Sequence, residues 1–131
     1  MFELMWDFKF LPPGRGMWAM GTEYVAERGG ACLNNCAFVT TADLAQDPAK
    51  PFMFIMDMSM VGVGVGFDAE GAGMVEVVAP QGNVEVVIED SREGWVDALR
   101  VLIEAYTQGG PLPSFDVSLV RKAGLPIRGF G

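Results

Sequence analysis

The chain contains no histidine among its 131 residues and only two cysteines, Cys32 and Cys36. Without histidine, the chain cannot by itself form a Ser-His-Asp or Cys-His catalytic arrangement, and a zinc site would lack its commonest nitrogen ligand. Two cysteines are also too few for the framework of a small disulfide-rich secreted protein. Any chemistry therefore comes from cysteine, carboxylates or the backbone, or from parts outside this chain, and the sequence predicts no metal site.

Basic residues are scarce as well. Nine Lys and Arg stand against 17 Asp and Glu, which gives a formal net charge of −8. Such an acidic chain is poorly suited to a phosphate backbone, so the composition predicts no nucleic-acid partner. No apolar run reaches the roughly 18 to 20 residues of a membrane span, and the first residues lack the pattern of a signal peptide. We therefore expect a cytoplasmic protein without a membrane partner.

Hydrophobic residues make up 50% of the chain, and the mean hydropathy is +0.27. This composition supports a buried core and excludes intrinsic disorder. The length limits the chain to one domain, residues 1–131. No internal repeat or low-complexity tract divides it.

Three segments repeat their apolar residues at helical spacing: 2–11, 51–60 and 93–107. The second is apolar almost all round, which predicts a buried helix. Asp90 and Glu93 have the spacing of a capping box at the start of the third. Between the first two helices, residues 14–30 carry enough apolar surface to predict an ordered, covered connector.

Five segments are predicted to be strands: 33–40, 61–67, 75–79, 84–88 and 114–120. The four residues 80–83 have the chemistry of a turn, so 75–79 and 84–88 are predicted to form a hairpin. In 61–67, glycine alternates with valine, which lets another backbone or a ligand approach one face closely. Residues 121–131 are predicted to be a loop. For the chain taken alone, these segments indicate an α+β protein.

The spacing of Cys32 and Cys36 bears on whether they can pair. In a strand, four residues span about 13 Å, which exceeds the roughly 7 Å limit for a disulfide. The strand assignment therefore predicts no bond between them. Two interpretations remain open: both thiols are small buried hydrophobic groups, or one is a redox thiol whose partner lies elsewhere in a larger protein.

Five blocks of sequence share a pattern with one enzyme family and occur in its order: LPPGRGMWAMGT at 11–22, ACLNNCAFV at 31–39, MVGVGVGF at 60–67, DSREGW at 90–95 and FDVSLVRKAGLPIRGFG at 115–131. They resemble the adenosylcobalamin-dependent, class II ribonucleotide reductases, especially the branch that reduces triphosphates. The family often has Lys-Gly-Gly-Gly where this chain has VGVG at 61–64, and Arg-Pro where it has Arg121-Lys122. The resemblance spans nearly the whole chain.

The fold implied by this resemblance is a ten-stranded α/β barrel, made from two five-stranded parallel halves. A complete subunit of the family is several times longer than 131 residues. The resemblance therefore implies that residues 1–131 are one partial domain, an N-terminal slice of the catalytic barrel.

The reaction implied by the resemblance replaces the ribose 2′-hydroxyl of a ribonucleotide with hydrogen by thiyl-radical chemistry. Cys36 matches one member of the cysteine pair that acts as reductant, and Asn35, Val63 and Gly64 match positions that contact the substrate. The implied cofactor is adenosylcobalamin, with its binding surfaces absent from this chain. The implied partners are a ribonucleoside tri- or diphosphate and a thioredoxin-type reductant. Alone, the chain is expected to be inactive.

A second class of function is compatible with the same sequence. A chain of this size and acidity could be a module that binds a nucleotide or a partner protein without catalysis. The order of the five blocks favours the reductase, and the acidic composition by itself distinguishes neither.

Overall fold

A computed structural model describes residues 1–127. It contains five α-helices, which are α1 (Phe2–Trp6), α2 (Gly14–Ala19), α3 (Glu23–Arg28), α4 (Lys50–Met60) and α5 (Arg92–Gln108), and a 3₁₀ turn at Gly30–Leu33. Its strands are β1 (Cys36–Val39), β2 (Gly64–Phe67), β3 (Asn83–Val87) and β4 (Leu112–Asp116).

The strands form two separate parallel pairs. β1 pairs with β2, and β3 pairs with β4. A parallel pair needs a crossover connection, and here helix α4 links the first pair and helix α5 the second. The two helices contact each other, so the two β-α-β units meet through their helices. The fold is mixed α/β as predicted, and neither sheet within residues 1–127 closes into a barrel.

A small core lies under the start of β2. Cys32, Val61 and Val63 are buried there, and Ala37 and Val65 pack against them from β1 and β2. Each of these two strands therefore turns one face toward this core. The other face carries Cys36 and Gly64 and is exposed.

The predicted hairpin is wrong. Residues 75–79 form no strand, because the Val78 amide donates to the carbonyl of Tyr106 and the segment follows the end of helix α5. Strand β3 pairs instead with β4, which lies beyond α5. Alternation and turn residues are local signals, and they cannot reveal a partner strand on the far side of a helix.

The third predicted helix is confirmed as α5, but its predicted cap is wrong. The Ser91 hydroxyl accepts a hydrogen bond from the Gly94 amide at 3.0 Å, so Ser91 is the N-cap. Asp90 instead binds Arg121 at 2.8 Å. A Cβ on Gly94 would lie 2.6 Å from the Glu89 carbonyl oxygen. Only glycine is therefore compatible with the path of the backbone at the start of α5.

Several predicted boundaries change. The first helix ends at Trp6, and strand β1 covers 36–39 rather than 33–40. Strand β2 begins at Gly64, because the amides of Val61, Gly62 and Val63 bond back to carbonyls of Met58 and Ser59 at the end of α4. The last strand covers 112–116 rather than 114–120. Residues 121–127 contain no helix or strand, as predicted, and the rest of that loop, 128–131, lies outside the described residues.

Burial is lower than the sequence predicts. Helix α4, expected to be buried, has only Pro51 fully buried. In the connector 14–30, the side chain of Trp18 is 60% exposed, and Met17 and Met20 are exposed as well. The two small sheets leave these helix and connector side chains uncovered.

Replacement of the cap residue tests the start of α5. Ser91→Ala is expected to lower the free energy of unfolding by about 1 kcal/mol, because the Gly94 amide loses its acceptor. Ser91→Asp is expected to keep the stability, since aspartate also caps helices and its charge suits the helix N-terminus. Urea unfolding of both variants measures the difference, and equal stability of Ser91→Ala and the parent would contradict the assignment.

Candidate functional site

The predicted site residues lie where β1 and β2 begin. Cys36 is paired in register with Gly64, and the Gly64 amide donates to the Asn35 carbonyl at 2.9 Å. Cys36 and Gly64 are exposed on one side of the pair, and Asn35, which directly precedes Cys36, is exposed as well. The structure thus brings three of the four predicted residues together around one accessible thiol.

Val63 is the exception. Its side chain is only 3% exposed and packs with Cys32 and Val61 in the core. Val63 therefore belongs to the core beneath the strands rather than to the exposed face. The family resemblance gives the position of this residue in the chain and leaves its side-chain direction undetermined.

The exposed face of β2 carries two glycines, Gly64 and Gly66, next to the side chains of Cys36 and Phe38. A Cβ on Gly64 would come no closer than 3.6 Å to its nearest neighbour, the Asn35 carbonyl oxygen, and a Cβ on Gly66 no closer than 3.6 Å to Phe38. These are ordinary contacts, and neither glycine has a positive φ. Neither the conformation nor the packing of the described residues requires glycine here. Their effect is to leave bare backbone beside the thiol.

The two cysteines differ in environment. Cys32 lies in the 3₁₀ turn, is fully buried, and its thiol donates to the Gly29 carbonyl at 3.3 Å. Cys36 is exposed, and both thiols are free. The prediction that the two cysteines do not pair agrees with these free thiols, but strand geometry does not apply to them, because Cys32 lies in the 3₁₀ turn before β1. Cys32 is thus a small buried hydrophobic group, as the first interpretation describes. Cys36 is exposed, as the redox thiol of the second interpretation would have to be.

An arginine that the sequence patterns do not single out links the two segments that precede the site. The Arg15 guanidinium donates to the carbonyls of Cys32 at 3.3 Å, Val61 at 3.0 Å and Gly62. The available signal was its place in the Pro-Pro-Gly-Arg block, which carries part of the family resemblance but implies no role for the arginine.

A second polar cluster joins the opposite ends of the same strands. The Asp68 carboxylate, just after β2, accepts hydrogen bonds from the Thr41 hydroxyl at 2.6 Å and the Thr41 amide at 2.8 Å. These bonds, the side-chain one foremost, lower the pKa of Asp68 to about 2. The Thr41 hydroxyl also accepts from the Gly71 amide at 2.9 Å. Polar residues that follow two parallel strands were the signal that could have predicted this cluster, since such residues meet at one edge of a sheet.

One cavity, about 880 Å³, lies away from Cys36, at the start of α5. Three arginines in its wall face carboxylates: Arg28 is 3.6 Å from Glu93, Arg92 is 3.2 Å from Asp57, and Arg121 is 2.8 Å from Asp90. Their charges are therefore largely neutralised. Within residues 1–127, no cluster of Cys, Asp and Glu is arranged to hold a metal ion. No helix in this range has the length and apolar character needed to cross a membrane.

An accessible thiol beside bare backbone on parallel strands defines a candidate redox or substrate-contacting site in an α/β protein. Comparison with known proteins gives the particular class: over its whole length the chain is homologous to adenosylcobalamin-dependent ribonucleoside-triphosphate reductases. It is 47% identical to that enzyme of Euglena gracilis over 135 positions and 41% identical to a probable one of Dictyostelium discoideum over 150 positions. Identity to the Lactobacillus leichmannii enzyme is 27% over 185 positions.

The match covers all of this chain but a small part of each relative. The chain spans 18% of the Euglena protein, 20% of the Dictyostelium protein and 25% of the Lactobacillus protein. No protein-family model matches the sequence, and no solved structure matches the chain. The resemblance inferred from the five blocks is thereby confirmed, for a segment that is a minor part of its relatives.

The exposure difference predicts different thiol reactivity. In the folded chain, Cys36 is expected to react with a maleimide at least about tenfold faster than Cys32, because Cys32 reacts only after local opening. Peptide mapping by mass spectrometry measures both rates, and denatured chain, in which both thiols react, is the control. Similar rates in the folded chain, or a Cys32–Cys36 linked peptide, would contradict the described site.

The low pKa of Asp68 predicts acid sensitivity. Its folded-state pKa of about 2 lies below the ordinary value of 3.8, so the carboxylate stabilises the fold above pH 4 and loses this effect as the pH falls toward 2. Asp68→Asn is expected to be less stable than the parent at pH 7, with the difference shrinking between pH 4 and pH 2. Glu70→Gln, which removes an exposed carboxylate two residues away, is the matched control. A stability difference between the parent and Asp68→Asn that does not change with pH would rule out this role.

Proposed function

We propose that this chain is part of the catalytic domain of an adenosylcobalamin-dependent ribonucleoside-triphosphate reductase. The observation that supports this most directly is the exposed Cys36 thiol in register with Gly64. Homology over the whole chain to enzymes with that name supports the same assignment. The substrate is then a ribonucleoside triphosphate, or a diphosphate in a related enzyme.

In this proposal, Cys36 supplies one of two thiols that reduce the substrate. The ribose 2′-hydroxyl leaves as water, a C–H bond replaces the C–O bond, and two thiols lose two electrons and two protons to become a disulfide. Cys32 is not the second thiol, because it is buried and bonded to the Gly29 carbonyl. The second cysteine is a residue that lies outside this chain.

The neighbours of Cys36 suit a ribose that must approach the thiol within van der Waals distance. Gly64 presents no side chain opposite Cys36, so a sugar ring can rest on the backbone there. Asn35 is exposed beside the thiol, and its amide can bond to sugar hydroxyls. Val63 supports the site from the core beneath it, since the whole residue is buried.

When bound, adenosylcobalamin supplies the radical that starts such a reaction. We propose that this cofactor is held by parts of the complete enzyme outside this chain. The proposed role of this chain is therefore limited to binding the sugar and donating a thiol. A thioredoxin-type dithiol is the proposed partner that reduces the resulting disulfide. The cytoplasm, whose reducing conditions keep thiols free, is the proposed location.

We also propose that the two parallel β-α-β units form one partial domain, a slice of the ten-stranded barrel of this enzyme class. Both strand pairs are parallel and both are crossed by a helix, as such a barrel requires. The strands β2 and β3 are not hydrogen-bonded to each other, so closure would need further strands or a rearrangement between the two units.

A chimera tests the proposed function. The chain replaces the matching segment of the Euglena gracilis relative, and deoxyribonucleotide formation is measured with adenosylcobalamin and a thioredoxin system. The parent chimera is expected to turn over. Cys36→Ser is expected to reduce product to the level of the cofactor-free control, because serine cannot become half of a disulfide.

The matched control is Cys32→Ser. Its hydroxyl can still donate to the Gly29 carbonyl, so turnover is expected to continue with a modest loss of stability. An active Cys36→Ser chimera would overturn the catalytic assignment of Cys36. An inactive parent chimera that folds and binds a nucleotide or another protein would favour a binding module without catalysis.

A further inference from the structure

We propose that Arg15 is the positioning residue of the Cys36 site, holding β1 and β2 at the register in which the thiol faces Gly64. This role deepens the proposed function and depends on it for its catalytic meaning. The evidence is the set of carbonyls to which the Arg15 guanidinium donates: those of Cys32, Val61 and Gly62.

These carbonyls belong to the two segments that lead into the site. Cys32 lies in the 3₁₀ turn four residues before Cys36, and Val61 and Gly62 directly precede Val63. One guanidinium therefore links the approach to β1 with the approach to β2, segments about 30 residues apart in sequence. The link is made immediately before the first bond of the pair, from the Gly64 amide to the Asn35 carbonyl.

The arrangement suits arginine in particular. Three carbonyl oxygens converge at the C-terminal end of helix α4, where the helix dipole is also negative, so they need a cation with several donors between them. Arginine offers five N–H groups in a planar fork. Lysine offers a single nitrogen and cannot extend to all three carbonyls in the same way.

The register matters because the side chains of a strand alternate between its faces. A slip of β2 by one residue would turn Val63 or Val65 toward the face that now carries Gly64. A valine side chain would then stand opposite Cys36 and cover the backbone that Gly64 leaves open. Loss of the Arg15 link is therefore expected to act on the site before it acts on the rest of the fold.

Amide hydrogen exchange of the chain, measured by NMR, tests this directly. In Arg15→Gln, exchange of the Gly64 amide is expected to rise at least about tenfold, because loss of charged hydrogen bonds weakens the local pair by more than about 1.4 kcal/mol. The Ile88 amide, bonded to the Asp116 carbonyl at the β3–β4 pair, is expected to keep its rate. Arg15→Lys is expected to recover part of the protection.

Arg121→Gln is the matched control, since it removes an arginine of the other unit that donates to the Asp90 carboxylate and, like Arg15, to a backbone carbonyl, that of Pro126. It is expected to leave Gly64 exchange unchanged. Equal acceleration at Gly64 and Ile88 in Arg15→Gln would show a general stabilising role and overturn the proposal. Unchanged exchange at Gly64 would overturn it as well.

The catalytic consequence is measured in the Euglena chimera. Arg15→Gln is expected to lower kcat about tenfold or more at an unchanged folded fraction, with partial recovery in Arg15→Lys. Unchanged kcat in a chimera whose Gly64 exchange has risen would overturn the positioning role. An inactive parent chimera would instead contradict the proposed function, while the exchange experiment still decides whether Arg15 sets the register.

Discussion

The bonds from Arg15 to three backbone carbonyls are the constraint on which the β1–β2 pair depends. A two-stranded sheet is marginally stable in water, and a parallel pair gains slightly less per residue than an antiparallel one. Each strand has only four residues. Fixing both strand starts with one guanidinium and both strand ends with the Asp68–Thr41 bonds therefore supplies the register that the short ladder alone would hold weakly.

The β1–β2 pair has one face that packs against the core and one exposed face that carries the candidate site. Ala37 and Val65 pack toward the core with Cys32, whereas Cys36 and Gly64 lie on the opposite face. The exposed Phe38 shares that opposite face. Under the proposed function, this opposite face is the one that a ribonucleotide would approach.

Sequence patterns predicted the parts of the fold that depend on neighbours in the chain. Helix α5 and its stop at Gly109, which has a φ of +70°, follow from periodicity and from the preference of glycine for left-handed conformations. The predicted hairpin at 75–88 was wrong because strand pairing depends on residues far apart in the sequence. Strand β3 pairs with β4, which lies beyond helix α5. The prediction of Asp90 as the cap was wrong because the Asp90 carboxylate binds Arg121, thirty-one residues away. Ser91 caps the helix instead.

The alternating glycines show why both the family resemblance and the structure were needed to identify the site residues. Periodicity treats residues 61–67 as one strand with three equivalent glycines, but each has a different environment. Gly62 has a φ of +78° at the end of α4, and its carbonyl accepts a bond from Arg15. Gly64 and Gly66 have ordinary conformations and room for a Cβ, so nothing within the described residues explains them. A group that approaches the bare backbone beside Cys36 would explain them, and a ribose held against that thiol is such a group.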